Sequence, residues 1–171
     1  MEVIYVRADR CLGCKTCEIE CRIAHADTEK TLFAALNQSR PPKRRLFVEQ
    51  GETGKAPIIC RHCEEAPCIV DCISGSIYRD EQGFVRRKKE RCIGCWSCIM
   101  ACPFGVVVRD AEARIAVKCD HCPDLETPAC VAGCPTRALQ LVDVDELPKE
   151  RRQEYIPVSY THLTLPTTGH E

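Results

Sequence analysis

The chain has 171 residues, with 24 Lys and Arg against 25 Asp and Glu and a formal net charge of −1; sixteen residues are cysteine. The basic residues form no long stripe and carry no aromatic platforms, which argues against a nucleic-acid binder, and an aromatic content of 5% makes for a thin hydrophobic core. No apolar run approaches membrane-spanning length, so a cytoplasmic protein is expected, soluble or peripheral to a membrane complex.

In chain order, residues 1–10 carry Glu2, Arg7, Asp9 and Arg10 and no apolar signal region, with Val3 to Val6 as a short strand. The first cysteine group, Cys11, Cys14, Cys17 and Cys21, opens a helical stretch from Cys17 to Ala26. Thr31 to Leu36 predicts a further helical turn that Pro41-Pro42 stops. Arg45 to Val48 and Ala56 to Ile59 flank the turn at 51–54 and lead into the second group, Cys60, Cys63, Cys68 and Cys72. Ile77 to Arg79 and Phe84 to Arg86 form the next predicted hairpin, before the third group, Cys92, Cys95, Cys98 and Cys102. There Cys98 to Cys102 fits a short helix closed by Pro103. Val106 to Val108 is expected to pair with Ile115 to Val117, the fourth group is Cys119, Cys122, Cys130 and Cys134, and Leu139 to Val142 is a last strand. The tail 149–171, with Tyr155-Ile-Pro-Val and Leu163-Thr-Leu-Pro166, reads as a docking arm or a disordered end.

Each cysteine group ends in a three-residue gap, and the first and third read C-x2-C-x2-C-x3-C. This is the bacterial ferredoxin spacing for iron–sulfur cubanes, and sixteen ligands at four per cluster correspond to four [4Fe-4S] centres. A disulfide scaffold fits poorly, because a two-residue gap in every group is too tight for most disulfide geometry. Structural zinc takes separated pairs of cysteines, whereas Cys11, Cys14 and Cys17 place three thiolates in one short loop. A cubane held by four cysteines has no open coordination position, so one-electron transfer is its work. No phosphate-binding loop and no nucleophile–base pair stands out, so a non-catalytic redox subunit is expected. With scattered thiolates as ligands, the apo chain should be largely unfolded.

The groups also repeat. Residues 91–98 echo 10–17, and the wider second and fourth groups both carry a His before their second cysteine and a Pro before or near their third. Their inserts, Glu64 to Pro67 and Pro123 to Ala129, are surface candidates for partner contact or for covering a cluster. His62 and His121 should hydrogen-bond a sulfide or a backbone carbonyl, since four cysteines already complete each cluster. His25 is expected near the first group, Trp96 to shield a cluster, and Lys15 and Lys118 to tune potentials. Arg40 with Lys43 to Arg45, and Arg86 to Lys89 with Arg91, are either a steering patch for an acidic partner or an offset to cluster charge.

These motifs resemble the four-cluster electron-transfer subunits of molybdenum oxidoreductases, formate dehydrogenases, hydrogenases and carbon monoxide dehydrogenases, over roughly residues 1 to 145. The opening 10–25, with Pro41-Pro42 and 45–49, looks most like the iron–sulfur partner of carbon monoxide dehydrogenase. The resemblance implies an α+β fold of two bacterial-type 2[4Fe-4S] ferredoxin-like lobes, the outer from 1–55 and 105–148 and the inserted one from 56–104. It also implies crossed ligand sets: Cys11, Cys14, Cys17 and Cys134; Cys119, Cys122, Cys130 and Cys21; Cys60, Cys63, Cys68 and Cys102; Cys92, Cys95, Cys98 and Cys72. Pairing of sequential groups is the alternative. By the same resemblance the protein passes electrons from carbon monoxide dehydrogenase to a hydrogenase or a flavin-dependent NAD(P) reductase, in anaerobic metabolism. A formate dehydrogenase, hydrogenase or molybdenum oxidoreductase partner is the second reading and an autonomous polyferredoxin the third. An iron–sulfur-stabilised structural or nucleic-acid-binding protein is the reading from a different class.

Overall fold

The computed structural model describes residues 2–27, 29–52 and 54–153; Thr53 of the predicted 51–54 turn and residues 154–171 of the predicted arm lie outside them. The described residues form short helices and four two-stranded antiparallel sheets, a mixed α and β fold in repeating lobes. Most elements stand beside a cysteine group. This follows from composition: with few large apolar residues, a strand or helix here finds its apolar contacts among thiols and small aliphatic side chains.

Strand β1 (Glu2–Val6) pairs with β8 (Leu139–Asp143), in a register running from Val3 opposite Val142 to Val6 opposite Leu139. The other sheets are local hairpins. Strand β2 (Leu46–Gln50) pairs with β3 (Lys55–Ile59), β4 (Ile77–Arg79) with β5 (Val85–Arg87), and β6 (Val108–Asp110) with β7 (Ile115–Val117). The strand expected at Val106 to Val108 begins two residues later. Val106 and Val107 are buried, whereas Asp110 accepts a hydrogen bond from the Ala113 N–H at 3.3 Å and closes the turn.

Helix α1 (Thr16–Ala24) and helix α4 (Ser97–Ala101) follow the first and third cysteine loops, as the sequence predicts. Helix α2 (Leu32–Asn37) is capped by the Thr31 hydroxyl, which accepts from the Ala34 N–H at 3.2 Å. Two further helical turns, α3 (Pro67–Val70) and α5 (Ala129–Ala132), lie inside the wide cysteine groups where the sequence suggested surface inserts. Pro67 opens α3 and Pro128 caps α5, because a fixed φ suits the first turn and the missing N–H costs nothing there.

Two apolar clusters result. The first joins Leu46, Val48, Ile59 and Leu139 to Cys17, Cys21, Cys119 and Cys130; the second joins Ala66, Ile77, Val85, Val107 and Ala116 to Cys98. Hairpin β2–β3 therefore serves the first cluster through Ile59, and hairpin β6–β7 serves the second through Ala116. Among the described residues no helix is long and apolar enough to cross a membrane.

Candidate metal centres

The two tight loops have one backbone. A 3-10 turn at Ala8–Arg10 delivers the polypeptide to Cys11, and another at Lys89–Arg91 delivers it to Cys92. Gly13 and Gly94 then take φ of 72° and 70°, and Lys15 and Trp96 take 61° and 69°. Alternating left-handed residues curl three successive cysteines around a common point, and a Cβ at either glycine would also collide. At Gly13 it would meet Lys55 Cδ at 2.4 Å, and at Gly94 the Arg114 carbonyl oxygen at 2.5 Å. In the wide groups His62, His121 and Cys122 supply the left-handed turns.

All sixteen thiols are free, and the fold gathers them from different groups. Cys17 has Cys134 and Cys14 as neighbours; Cys130 has Cys119, Cys21, Cys122 and Cys17. Cys68 has Cys60, Cys102 and Cys63, and Cys98 has Cys72, Cys92, Cys95 and Cys68. Cys119 is also close to Cys60, so the two wide groups face one another. Burial pushes Cys17 up to about 12 and Cys98 up to about 11, and raises Cys68, Cys119 and Cys130 as well. The exposed thiols Cys14 and Cys95 are held below the usual value, the first mainly by the Thr16 hydroxyl and the second by the Ser97 backbone N–H. Buried thiols ionise against their environment, so bound iron must displace their protons.

Hydrogen-bond donors converge on the sulfurs. The Ile77 N–H lies 3.3 Å from Cys72 Sγ, the Ala116 N–H 3.5 Å from Cys92 Sγ and the His121 N–H 3.5 Å from Cys119 Sγ. The Thr16 and Ser97 hydroxyls donate to Cys14 and Cys95 at 3.4 and 3.6 Å. Arg45 Nε, His62 Nε2, Arg87 Nη1 and His121 Nε2 are buried without a hydrogen-bond partner. His62 Nδ1 accepts from the Val85 N–H at 3.0 Å, so its neutral ring carries the proton on Nε2. Donors left over beside thiols suit a group that brings acceptor sulfides, which is what an iron–sulfur cluster presents. Zinc fits less well: Zn–S bonds of about 2.3 Å would hold four sulfurs about 3.8 Å apart. Among the described residues the set of three ligating atoms within 4.8 Å of one another is His25, Asp120 and Cys122, with no all-cysteine set.

The predicted second-tier residues divide. His25 lies where expected: Nδ1 is 2.7 Å from the Cys21 carbonyl oxygen and 3.8 Å from Cys21 Sγ, and Nε2 is 3.1 Å from Asp120. Burial opposes charge on His25, but bonds to Asp120, Cys122 and Cys21 outweigh it and raise its pKa; Asp120 is correspondingly lowered against its own burial. His62 and His121 form an aromatic group with Phe84, whose ring stacks on His121 at 4.1 Å, and His62 accepts from the backbone instead of donating to a carbonyl. Trp96 lies half-buried under the Arg109 guanidinium at 4.9 Å. Lys15 is exposed, while Lys118 is buried. The arginines of the basic run at 40–45 pair internally, while Lys43 is exposed: Arg40 pairs with Asp110, Arg44 with Glu18 at 2.9 Å and Arg45 with Asp120. Arg86 pairs with Asp80 and donates to the Asp120 carbonyl at 2.7 Å. Glu18 does not stand out in the sequence, yet it is a buried carboxylate that accepts from the Val48 N–H at 2.7 Å and ties α1 to β2. Its signal is a charged residue directly after Cys17 in the first turn of the helix.

A family profile described as a 4Fe-4S dicluster domain matches residues 53–144. Electron transport protein HydN of Escherichia coli (strain K12) is 37% identical over 169 residues, spanning 88% of this chain and 94% of that one. An iron-sulfur protein of Rhodospirillum rubrum is 34% identical over 182 residues, with 95% of each chain covered. One subunit of the anaerobic dimethyl sulfoxide reductase of Escherichia coli (strain K12) is 32% identical over 172 residues, covering 95% of this chain and 84% of that one.

Proposed function

The protein belongs to the 4Fe-4S dicluster family of ferredoxin-like electron-transfer proteins, and on that premise we propose that it relays single electrons through four [4Fe-4S] clusters inside an anaerobic oxidoreductase system. It is a redox carrier with no catalytic step of its own, in line with its electron-transport relatives. The observation that carries the four-cluster reading is the crossing of the thiols. Cys134 stands beside Cys17, and Cys21 beside Cys130; Cys102 stands beside Cys68, and Cys72 beside Cys98. We therefore assign the ligand sets as Cys11, Cys14, Cys17 and Cys134; Cys119, Cys122, Cys130 and Cys21; Cys60, Cys63, Cys68 and Cys102; Cys92, Cys95, Cys98 and Cys72. An outer lobe of 1–55 and 105–148 around an inserted 56–104 follows from that assignment, with the β2–β3 and β6–β7 hairpins reaching between the lobes.

In this reading the bound clusters supply one-electron transfer. The protein's residues fix their spacing, exclude water with the two apolar clusters, and direct N–H and O–H donors at the sulfurs, which stabilises the more negative reduced form. The wide groups face each other at the middle, through Cys60 and the buried Cys119, and the exposed Cys14 and Cys95 mark the two ends where electrons enter and leave.

For the enzyme partner we favour a formate dehydrogenase, a hydrogenase or a molybdenum oxidoreductase. The likeness to a dimethyl sulfoxide reductase subunit supports this choice over carbon monoxide dehydrogenase, for which the opening motif 10–25 is the support. Iron and acid-labile sulfide near sixteen each per chain, with four reducible paramagnetic centres, are expected. Two or more zinc ions per chain would refute the relay. Reduction of the clusters by CO with carbon monoxide dehydrogenase, but not by formate with formate dehydrogenase or by H2 with hydrogenase, would reverse the choice of partner.

A further inference from the structure

Lys118 is 3% exposed, although lysine is a side chain that proteins almost never bury without a partner charge. Its Nζ donates to the Val85 carbonyl and, at 2.7 Å, to the Cys119 carbonyl. Among the described residues no carboxylate lies within ion-pair distance of it. A buried cation without an anion is strongly disfavoured, and two neutral carbonyls occupy only two of its three donors.

Its position is specific. Val85 packs in the second apolar cluster, and its N–H holds His62 between Cys60 and Cys63; Cys119 packs in the first. Lys118 thus fastens Val85, whose N–H holds His62 of one wide cysteine group, to Cys119 of the other. Cys63, Cys68 and Cys102 pack against the cluster that holds Val85, and Cys119 lies in the other.

We propose that Lys118 is the shared countercharge of the two clusters that face each other across the lobe junction, one on Cys60, Cys63, Cys68 and Cys102 and the other on Cys119, Cys122, Cys130 and Cys21. The inference rests on the ligand assignment above. Each cluster gains one negative charge when it accepts an electron, so a cation between two clusters stabilises the reduced form of both. The middle of the relay then draws electrons from either end. Reduction of the first makes the second harder to reduce, because the two added negative charges repel.

Lys118→Gln keeps two N–H donors for the two carbonyls and removes the charge; Lys118→Arg keeps the charge. In Lys118→Gln protein with full iron and sulfide, an EPR-monitored redox titration should show two of the four centres becoming harder to reduce. The expected change is about tenfold or more in each reduction equilibrium constant, with about 59 mV per tenfold for a one-electron couple. The other two should keep their potentials, and Lys118→Arg should stay close to the native values. No shift, a shift of one centre alone, or an equal shift of all four would overturn the proposal. Pulsed EPR of native protein carrying 15N-lysine provides a test that needs no variant: the two junction centres should couple to a lysine nitrogen, and absence of coupling at both overturns the proposal even where the variants fail to assemble. Four native centres without these effects would sink this inference alone, whereas a native protein lacking four reducible centres would sink the relay itself.

Discussion

The loop around Cys11, Cys14 and Cys17 and its counterpart around Cys92, Cys95 and Cys98 share a 3-10 turn, two left-handed residues and a hydroxyl on the middle thiol. They part at their ends. After Cys98 the helix stops at Ala101, and Cys102-Pro103 reverses the backbone, with the Gly105 N–H donating to the Cys102 carbonyl at 3.2 Å. After Cys17 the helix runs on through Cys21 to Ala24, and His25 meets the Cys21 carbonyl instead. The residue after the third cysteine differs too: Glu18 binds the β2 backbone, while Ile99 packs against the second apolar cluster. Three cysteines in a tight loop are a local backbone problem with one solution, and so the solution repeats. Attaching that loop to the rest of the molecule is a tertiary problem, and the two copies solve it differently.

The largest effect should come from breaking the fourth ligand on each side. Cys21→Ala and Cys119→Ala should abolish the same paramagnetic centre and remove about a quarter of the iron, whereas Cys17→Ala should abolish a different one. Loss of one common centre in Cys21→Ala and Cys17→Ala would show that ligands are shared within a group. Cys102→Ala paired with Cys68→Ala makes the same comparison in the other lobe.

The glycines come next. Gly94→Ala places a Cβ against a backbone carbonyl that cannot step aside, so strain adds to the left-handed penalty, about 3 kcal/mol or more together. Gly13→Ala meets only a flexible lysine side chain and should cost about 1–2 kcal/mol. Thermal bleaching of the cluster absorbance would order the two, and equal losses would contradict the asymmetry. Glu18→Ile, which gives α1 the residue that α4 has, strands the Val48 N–H and the Arg44 guanidinium; about 2–3 kcal/mol is expected by the same assay. The smallest change should be Thr16→Ala and Ser97→Ala, each removing one O–H···S bond, with about 0.5–1.5 kcal/mol of preference for the reduced state lost at the adjoining cluster. Redox titration should find the two nearly equal, because here the loops are the same.

The cysteine spacing and the short hairpins were legible because both are local. Valine and isoleucine runs bounded by Gly- and Asp-containing turns specify β2–β3 and β4–β5 directly. The β1–β8 partnership was not legible, since nothing in Val3 to Val6 names a strand more than 130 residues away. The turns α3 and α5 were hidden by their brevity, although Pro67 and Pro128 mark where each begins. The basic run at 40–45 looked like a surface field in sequence; the anions of its arginines, Glu18, Asp110 and Asp120, are not sequence neighbours, and only the fold shows those charges paired. The ring contact of His62 with His121 was hidden as well, because it depends on how the two wide groups face each other.

The long partnership of β1 with β8 also sets an order of assembly during synthesis. Residues 2–6 leave the ribosome first among the described strands, yet their hydrogen-bonding partner at 139–143 is made last. Closing so long a segment waits on loop-closure entropy, whereas the β4–β5 hairpin and the α3–α4 contact form from neighbouring sequence. The interior of the polypeptide can therefore mature while its beginning is still waiting, and nascent chains halted before β8 should carry iron in the middle and bare thiols at the front.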